Sequence, residues 1–257
     1  MSNSKLFLCA AVLGVLFGVG AASAADLPAR TYTKAPPMAP IYNWTGFYIN
    51  AGGGYGIWDA NQDTRTLGGT VLSISQKSGG DGYFGTVGAG YDWQVYQSWV
   101  GGIFADGQFG SIRGSMQDQL NGISGTVKDR DNWAAGVRVG YLVTPTVLSY
   151  VNGGYSGSSW SSATLMNAGG VAVATTPSFT RNGWFVGGGV ENQLSFFGFS
   201  PGWFMKTEYR AAEYNRINLT ETPVSGAVPT LATTFNPIVQ TVSTQLVYRF
   251  NWSGVGH

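Results

Sequence analysis

Lys206, Glu208 and Arg210 occupy alternate positions of WFMKTEYRAAEY (203–214), so an extended strand would carry all three on one side. Glu208 with Glu191 has the residue types of a glycosidase carboxylate pair. Gly80-x-Gly82-x-x-Gly85 matches the glycine spacing of a nucleotide-binding turn. Neither fits its surroundings. The glycines lead into a strand-like run with no βαβ unit around them, so they read as loop and strand residues. The two glutamates share strand faces with Arg138, Lys206, Arg210 and Arg249, which makes mutual ion pairing the expected chemistry. The single histidine is His257, the last residue, so neither a His-dependent triad nor an imidazole metal site is supported. No catalytic, cofactor-binding or metal-ligating residue is expected, and the chain is expected not to be an enzyme.

The elements that must position these charges are strands. Alternation of period two runs through residues 43–59, Tyr83–Trp93, Trp99–Ser111, 132–143, Val147–Tyr155, Trp184–Glu191, Trp203–Tyr214 and Val239–Trp252. Polar, glycine-rich segments, Asp59–Gly80, Gly114–Asp131, Ser156–Asn182 and Glu213–Pro237, read as four long loops. Connections therefore alternate long and short around eight strands. In an up-and-down barrel this puts the long loops at one rim and both chain ends at the other. The fold class expected is all-β, an eight-stranded antiparallel transmembrane β-barrel.

Sidedness follows from the charges. The apolar faces carry no Asp, Glu, Lys or Arg, whereas the opposite faces carry Asp92, Asp106, Arg138, Glu191, Lys206, Glu208, Arg210 and Arg249. A soluble barrel needs its charge outside. One Lys or Arg on a lipid face near the midplane costs ~2–4 kcal/mol, so eight such groups would exceed the ~5–15 kcal/mol stability of a typical domain. These eight residues are therefore expected to form an ion-pair network in the lumen. A lysine at Val139, on the apolar face, is expected to harm assembly far more than loss of Arg138. Trp58, Trp93, Trp99, Trp133, Trp184, Trp203 and Trp252 fall near strand ends and are expected in interfacial girdles.

The remainder of the chain fits export. Lys5, the apolar run Leu6–Val19 and Ala22-Ser23-Ala24 have the form of a secretory leader, so residues 1–24 are expected to be removed. Cys9, the only cysteine, lies within that leader, and the mature chain would have no disulfide. Residues 25–41 are proline-rich and aperiodic and read as a periplasmic linker, leaving 42–257 for the barrel. Without Lys5 the chain has thirteen basic and thirteen acidic residues, a balance with no nucleic-acid footprint.

The leader followed by ADLP, NWTGFYINAGGGYG, GWFVGGGVE, MKTEYR and the late LVYRF resemble, in this order, the small alphaproteobacterial outer-membrane β-barrel proteins related to the OmpA barrel. These are also described as immunogenic outer-membrane or porin-family proteins. The resemblance covers nearly the whole chain. It implies location in the outer membrane of a Gram-negative bacterium, contact with outer-membrane lipid and lipopolysaccharide, and insertion by the barrel-assembly machinery. The aromatic-x-aromatic pair Tyr248 and Phe250 would supply the assembly signal, although the chain continues through residues 251–257. The function expected is a structural, surface-exposed envelope role. The alternatives are a narrow porin-like channel for small solutes and a loop-mediated adhesin or receptor.

Overall fold

A computed structural model describes residues 43–194 and 202–250. The leader, the linker, Trp252 and His257 lie outside the described residues. The chain forms β1 (Gly46–Gln62), β2 (Thr64–Thr66), β3 (Gln76–Gln94), β4 (Trp99–Asp118), β5 (Ile123–Thr144), β6 (Val147–Trp160), β7 (Ala163–Met166), β8 (Ala172–Thr176), β9 (Phe179–Gln193), β10 (Trp203–Tyr214), β11 (Ile217–Thr220), β12 (Thr222–Pro223) and β13 (Leu231–Arg249). The eight long strands pair antiparallel in the order β1, β3, β4, β5, β6, β9, β10, β13. The ring closes because β13 pairs with β1 from Tyr48↔Arg249 to Asn61↔Asn236. Closure leaves no strand edge unpaired in the ring, the condition for crossing a bilayer with strands.

The faces separate as the alternation demands. Phe47, Ile49 and Ile57 of β1, Val137, Val139 and Tyr141 of β5, and Val242 and Leu246 of β13 are exposed on the outside of the ring. Their alternate neighbours are buried inside it. Trp93, Trp99, Trp133 and Trp184 are also exposed. Trp58 is not a girdle residue: it is 3% exposed, inside the ring, with its indole edge-on to Trp160 at 5.3 Å and against Phe235 at 5.5 Å.

The four expected loops are in large part strand. β4 continues to Asp118 and β5 begins at Ile123, so a four-residue connection replaces the loop expected over Gly114–Asp131. The other three are shortened by extensions of β1, β3, β6, β9 and β13 and contain the short strands β2, β7, β8, β11 and β12. These extensions enclose a second, apolar core: Trp58, Ile112, Met116, Val127, Trp160, Leu165, Phe179, Leu219 and Phe235 pack together inside the distal part of the barrel. The polarity of the wall thus inverts along its length. In the belt the outside is apolar and the inside charged; beyond it an apolar cluster lies inside, with buried polar groups such as Asp118, Asp129 and Glu221 around it, and the outer face of β4 and β5 is polar. The inversion coincides with register shifts at Phe109/Ile112 in the β4–β5 ladder and at Asp129/Asp131 in the β5–β6 ladder. Such irregularities change which face a residue occupies.

Candidate functional site

The belt interior is built from alternate residues of neighbouring strands, and it gathers the eight charged side chains into two groups. In the first, Arg138 of β5 donates from Nε to Asp92 Oδ1 at 2.9 Å and from Nη1 to Glu191 Oε2 at 3.2 Å. Arg249 of β13 donates from Nε to Glu191 Oε1 at 2.8 Å, and its Nη2 lies 2.8 Å from Asp92 Oδ2. Asp92 and Glu191 are fully buried, and Arg138 is 2% exposed. Two acids face two bases, so the group is neutral. Aromatic rings wall it in: Arg138 sits 4.4 Å from the Tyr48 ring, and Arg249 4.4 Å from Trp44 and 5.4 Å from Phe204. Guanidinium groups over ring faces add cation–π attraction to the ion pairs.

The second group is also neutral. Arg210 grips Asp106 through two parallel hydrogen bonds, at 2.9 and 2.6 Å, and reaches Glu208 Oε1 at 2.8 Å. Lys206 Nζ lies 3.9 Å from Glu208 Oε2, which also accepts from the Tyr150 hydroxyl at 2.8 Å and from Asn152 Nδ2 at 2.9 Å. Tyr150 joins the groups, because its ring lies 5.2 Å from the Arg138 guanidinium. Among the partners that sequence reasoning missed, Tyr48, Tyr150 and Asn152 are all buried. Their inward positions in the alternation were the available signal.

Glycine makes the room for these side chains. A Cβ at Gly102 would lie 2.0 Å from Asp92 Oδ1, and one at Gly90 would lie 2.4 Å from the Tyr48 hydroxyl. Between the charged level and the apolar core, Gln108, Asn132, Ser156, Arg210, Tyr214 and Thr241 border a void of about 10 Å³, room for about one water. An eight-stranded ring is just wide enough for side chains to fill. The arrangement holds charges in place, and Glu191 and Glu208 are each committed to cations. Among the described residues no group of three His, Cys, Asp or Glu side chains is placed to hold a metal ion.

Beyond the belt, three carboxyls are buried with no ion pair among the described residues, and none was expected from the sequence. Asp129 accepts from Asn132 Nδ2 at 2.8 Å and Ser158 Oγ at 3.1 Å, and burial pushes its pKa up to about 6. Glu221 accepts from the Thr233 hydroxyl and is pushed up to about 7, by burial first and by nearby Asp118 second. Asp118 is itself held by Asn121 Nδ2 at 2.7 Å and the Leu120 amide at 2.9 Å. At the other end, Tyr248 packs on Trp203 at 5.0 Å and edge-on to Phe250 at 5.2 Å, on the outer side of the ring from buried Arg249.

A closed ring of eight strands with an apolar belt and a charged interior is the architecture of an outer-membrane barrel, and residues 11–250 match the family model described as "Outer membrane protein beta-barrel domain". The chain belongs to that family. As a member of the outer-membrane β-barrel family it resides in the outer membrane of a Gram-negative bacterium. It is 28% identical over 201 residues to the 31 kDa outer-membrane immunogenic protein of Brucella melitensis, covering 73% of this chain and 79% of that one, and equally to the Brucella suis protein of the same name. The crystal structure of OprG from Pseudomonas aeruginosa superposes with a TM-score of 0.53 at 12% identity, covering 80% of this chain and 98% of OprG. At that identity the likeness to OprG is one of fold.

Proposed function

We propose that this chain is an occluded, non-catalytic outer-membrane barrel whose role is structural: it anchors a rigid β-structured cap and displays it outside the cell. The observation that carries the reading is the filled interior. Two neutral ion-pair groups walled by aromatic rings block the belt, and the apolar core around Trp58 and Trp160 blocks the distal part. A solute crossing this barrel would have to break both. The lumenal network of Asp92, Asp106, Arg138, Glu191, Lys206, Glu208, Arg210 and Arg249 is thus read as a stabilising plug.

The tight connections after β3 and β5 and the end of β13 share one rim, and the extensions form the other. With residues 1–24 read as a leader and 25–41 as a periplasmic linker, the extended rim faces outward, as short turns inside and long connections outside do in this class. The name of the Brucella relatives, an immunogenic outer-membrane protein, fits display at the surface. Tyr248 and Phe250, on the outer side of the last strand, suit recognition by the barrel-assembly machinery.

Single-channel recording in planar bilayers tests the reading. The expected outcome is no steady conductance from the folded protein. Stable openings that change when Arg210 or Glu208 is truncated would overturn the occluded role in favour of a narrow porin-like channel.

A further inference from the structure

Asparagine followed by glycine occurs three times in the chain, at Asn121-Gly122, Asn152-Gly153 and Asn182-Gly183. The pair is chemically reactive in water. The glycine amide nitrogen, once deprotonated, attacks the carbonyl carbon of the asparagine side chain, and glycine has no Cβ to obstruct the approach. The sequence treats the three pairs alike, but the fold does not. In β6, Gly153 pairs with Val137 on one side and Val186 on the other, and in β9, Gly183 pairs with Ser156 and Tyr214. A strand flanked on both sides commits its amides to one ladder or the other and holds each peptide plane in the pleat. Neither glycine nitrogen reaches the preceding side chain while its ladders stand. Asn152 is buried as well.

Asn121-Gly122 lies in the connection between β4 and β5, beyond the last ladder pair, Asp118↔Ile123. Both residues are exposed. Gly122 has a φ of 61°, in the left-handed region, and its amide donates to nothing among the described residues. The surroundings are open: a Cβ on Gly122 would meet no atom within 4 Å. Asn121 borders a cavity of about 340 Å³ with Glu221 and Leu231, and Gly122 borders one of about 280 Å³ with Gln119 and Ser124. Water therefore reaches the pair from both sides. The Asn121 side chain is also the fastener of this connection. Its Nδ2 donates to Asp118 Oδ2 at 2.7 Å, while Asp118 Oδ1 accepts from the Leu120 amide at 2.9 Å and from the Thr64 hydroxyl of β2.

We propose that Asn121 is a site of non-enzymatic deamidation, and that its product releases the β4–β5 connection from Asp118. The Gly122 nitrogen gives up its proton to solvent and bonds to Asn121 Cγ. The Cγ–Nδ2 bond breaks, and the side-chain nitrogen takes a proton from solvent and leaves as ammonia. The five-membered imide then takes up one water. Opening at one carbonyl leaves an ordinary aspartyl residue, and opening at the other routes the main chain through the β-carboxyl. The sum is one water consumed and one ammonia released, with no change of oxidation state. Either product exchanges a neutral donor for a carboxylate beside buried Asp118. Repulsion then replaces a hydrogen bond. The cap thus gains negative charge and loosens at its β4–β5 tip as the protein ages.

The test incubates the folded full chain in detergent at mildly alkaline pH. Peptides are mapped by mass spectrometry with fragmentation that separates aspartyl from isoaspartyl products. Conversion at Asn121 is expected to run about tenfold or more ahead of Asn152 and Asn182, which react only through local opening. In the urea-unfolded chain all three should convert at similar rates. Asn121→Gln keeps an amide donor but requires a larger ring, so it should remain unconverted. Aged protein and Asn121→Asp should both show lower amide protection at Leu120 and Ile123 than fresh protein, with the compact gel form retained. Equal rates at the three sites in the folded protein, or an intact Asn121 when the unfolded chain converts, overturns the site. Undiminished protection in Asn121→Asp overturns the release.

Discussion

Loss of Arg138 should be as damaging as a charge placed in the lipid belt. Sequence reasoning expected Val139→Lys to be far the more harmful of the two. The structure places Arg138 at 2% exposure between two fully buried carboxylates whose second ion-pair partner, among the described residues, is Arg249. Arg138→Ala leaves two buried acids against one base, and breaking a buried pair in this way costs ~3–5 kcal/mol. Val139 is half exposed on the outer face, where a lysine costs ~2–4 kcal/mol. Equilibrium urea unfolding of the barrel in lipid vesicles, followed by tryptophan fluorescence and by mobility without boiling, would measure both. Each variant is expected to lose several kcal/mol, with Arg138→Ala at least equal to Val139→Lys. Asp92→Asn added to Arg138→Ala restores neutrality, so the double variant should lose less than the two single losses combined. A change within about 0.5 kcal/mol for Arg138→Ala, the range of an ordinary surface substitution, would mean that water solvates the lumen and the plug is not closed.

The extended rim should be less stable in alkali than in acid. Asp129 ionises near 6 in the fold against 3.8 ordinarily, and Glu221 near 7 against 4.5, so the fold holds extra protons between those values. Stability is therefore full below about pH 4 and falls until about pH 7, where it levels. Amide protection factors across β4, β5 and β13, corrected for the pH dependence of intrinsic exchange, should be lower at pH 8 than at pH 5, and Asp129→Asn with Glu221→Gln should flatten the difference; greater protection at pH 8 would refute the sign. Trp58→Ala removes a ring packed on Trp160 and Phe235 and should cost ~3–5 kcal/mol in rim stability while the belt still inserts. Protease cleavage within the rim, with the compact gel form retained, is the expected pattern; loss of insertion would place Trp58 in the membrane-spanning body.

The belt was legible in the sequence because the bilayer imposes a single rule on every strand that crosses it. In β10 the rule puts Lys206, Glu208 and Arg210 inside and Met205, Thr207 and Tyr209 outside, and the other belt strands repeat it. The pairing within the interior was not legible. Which acid meets which base depends on the stagger of strands far apart in the chain, such as β4 and β10, whose Asp106 and Arg210 lie 104 residues apart. The cap was missed for a different reason. Above the belt the solvent outside is water, so polarity inverts, and in β5 the register shift exchanges the faces at the same level. Ile123 and Val127 point in, while Trp133 and Val137 point out, although all four have odd numbers. Glycine, serine and aspartate on the outer side then imitate a loop.

That inversion bears on how one chain can be both a membrane anchor and a surface structure. A belt whose interior were apolar would have apolar groups on both sides of its wall, and nothing in it would fix which face meets lipid. The charged interior fixes the face, since turning the strands over would expose Arg138, Glu191 and Arg210 to acyl chains at ~2–4 kcal/mol for each basic residue near the midplane. Above the belt the same logic runs backward. Water outside penalises exposed Trp58, Met116 and Phe235, so an apolar interior now specifies the register. Each half of the barrel thus uses the polarity its own solvent makes costly to reverse, and the shifts near Phe109 and Asp131 lie where the two requirements meet.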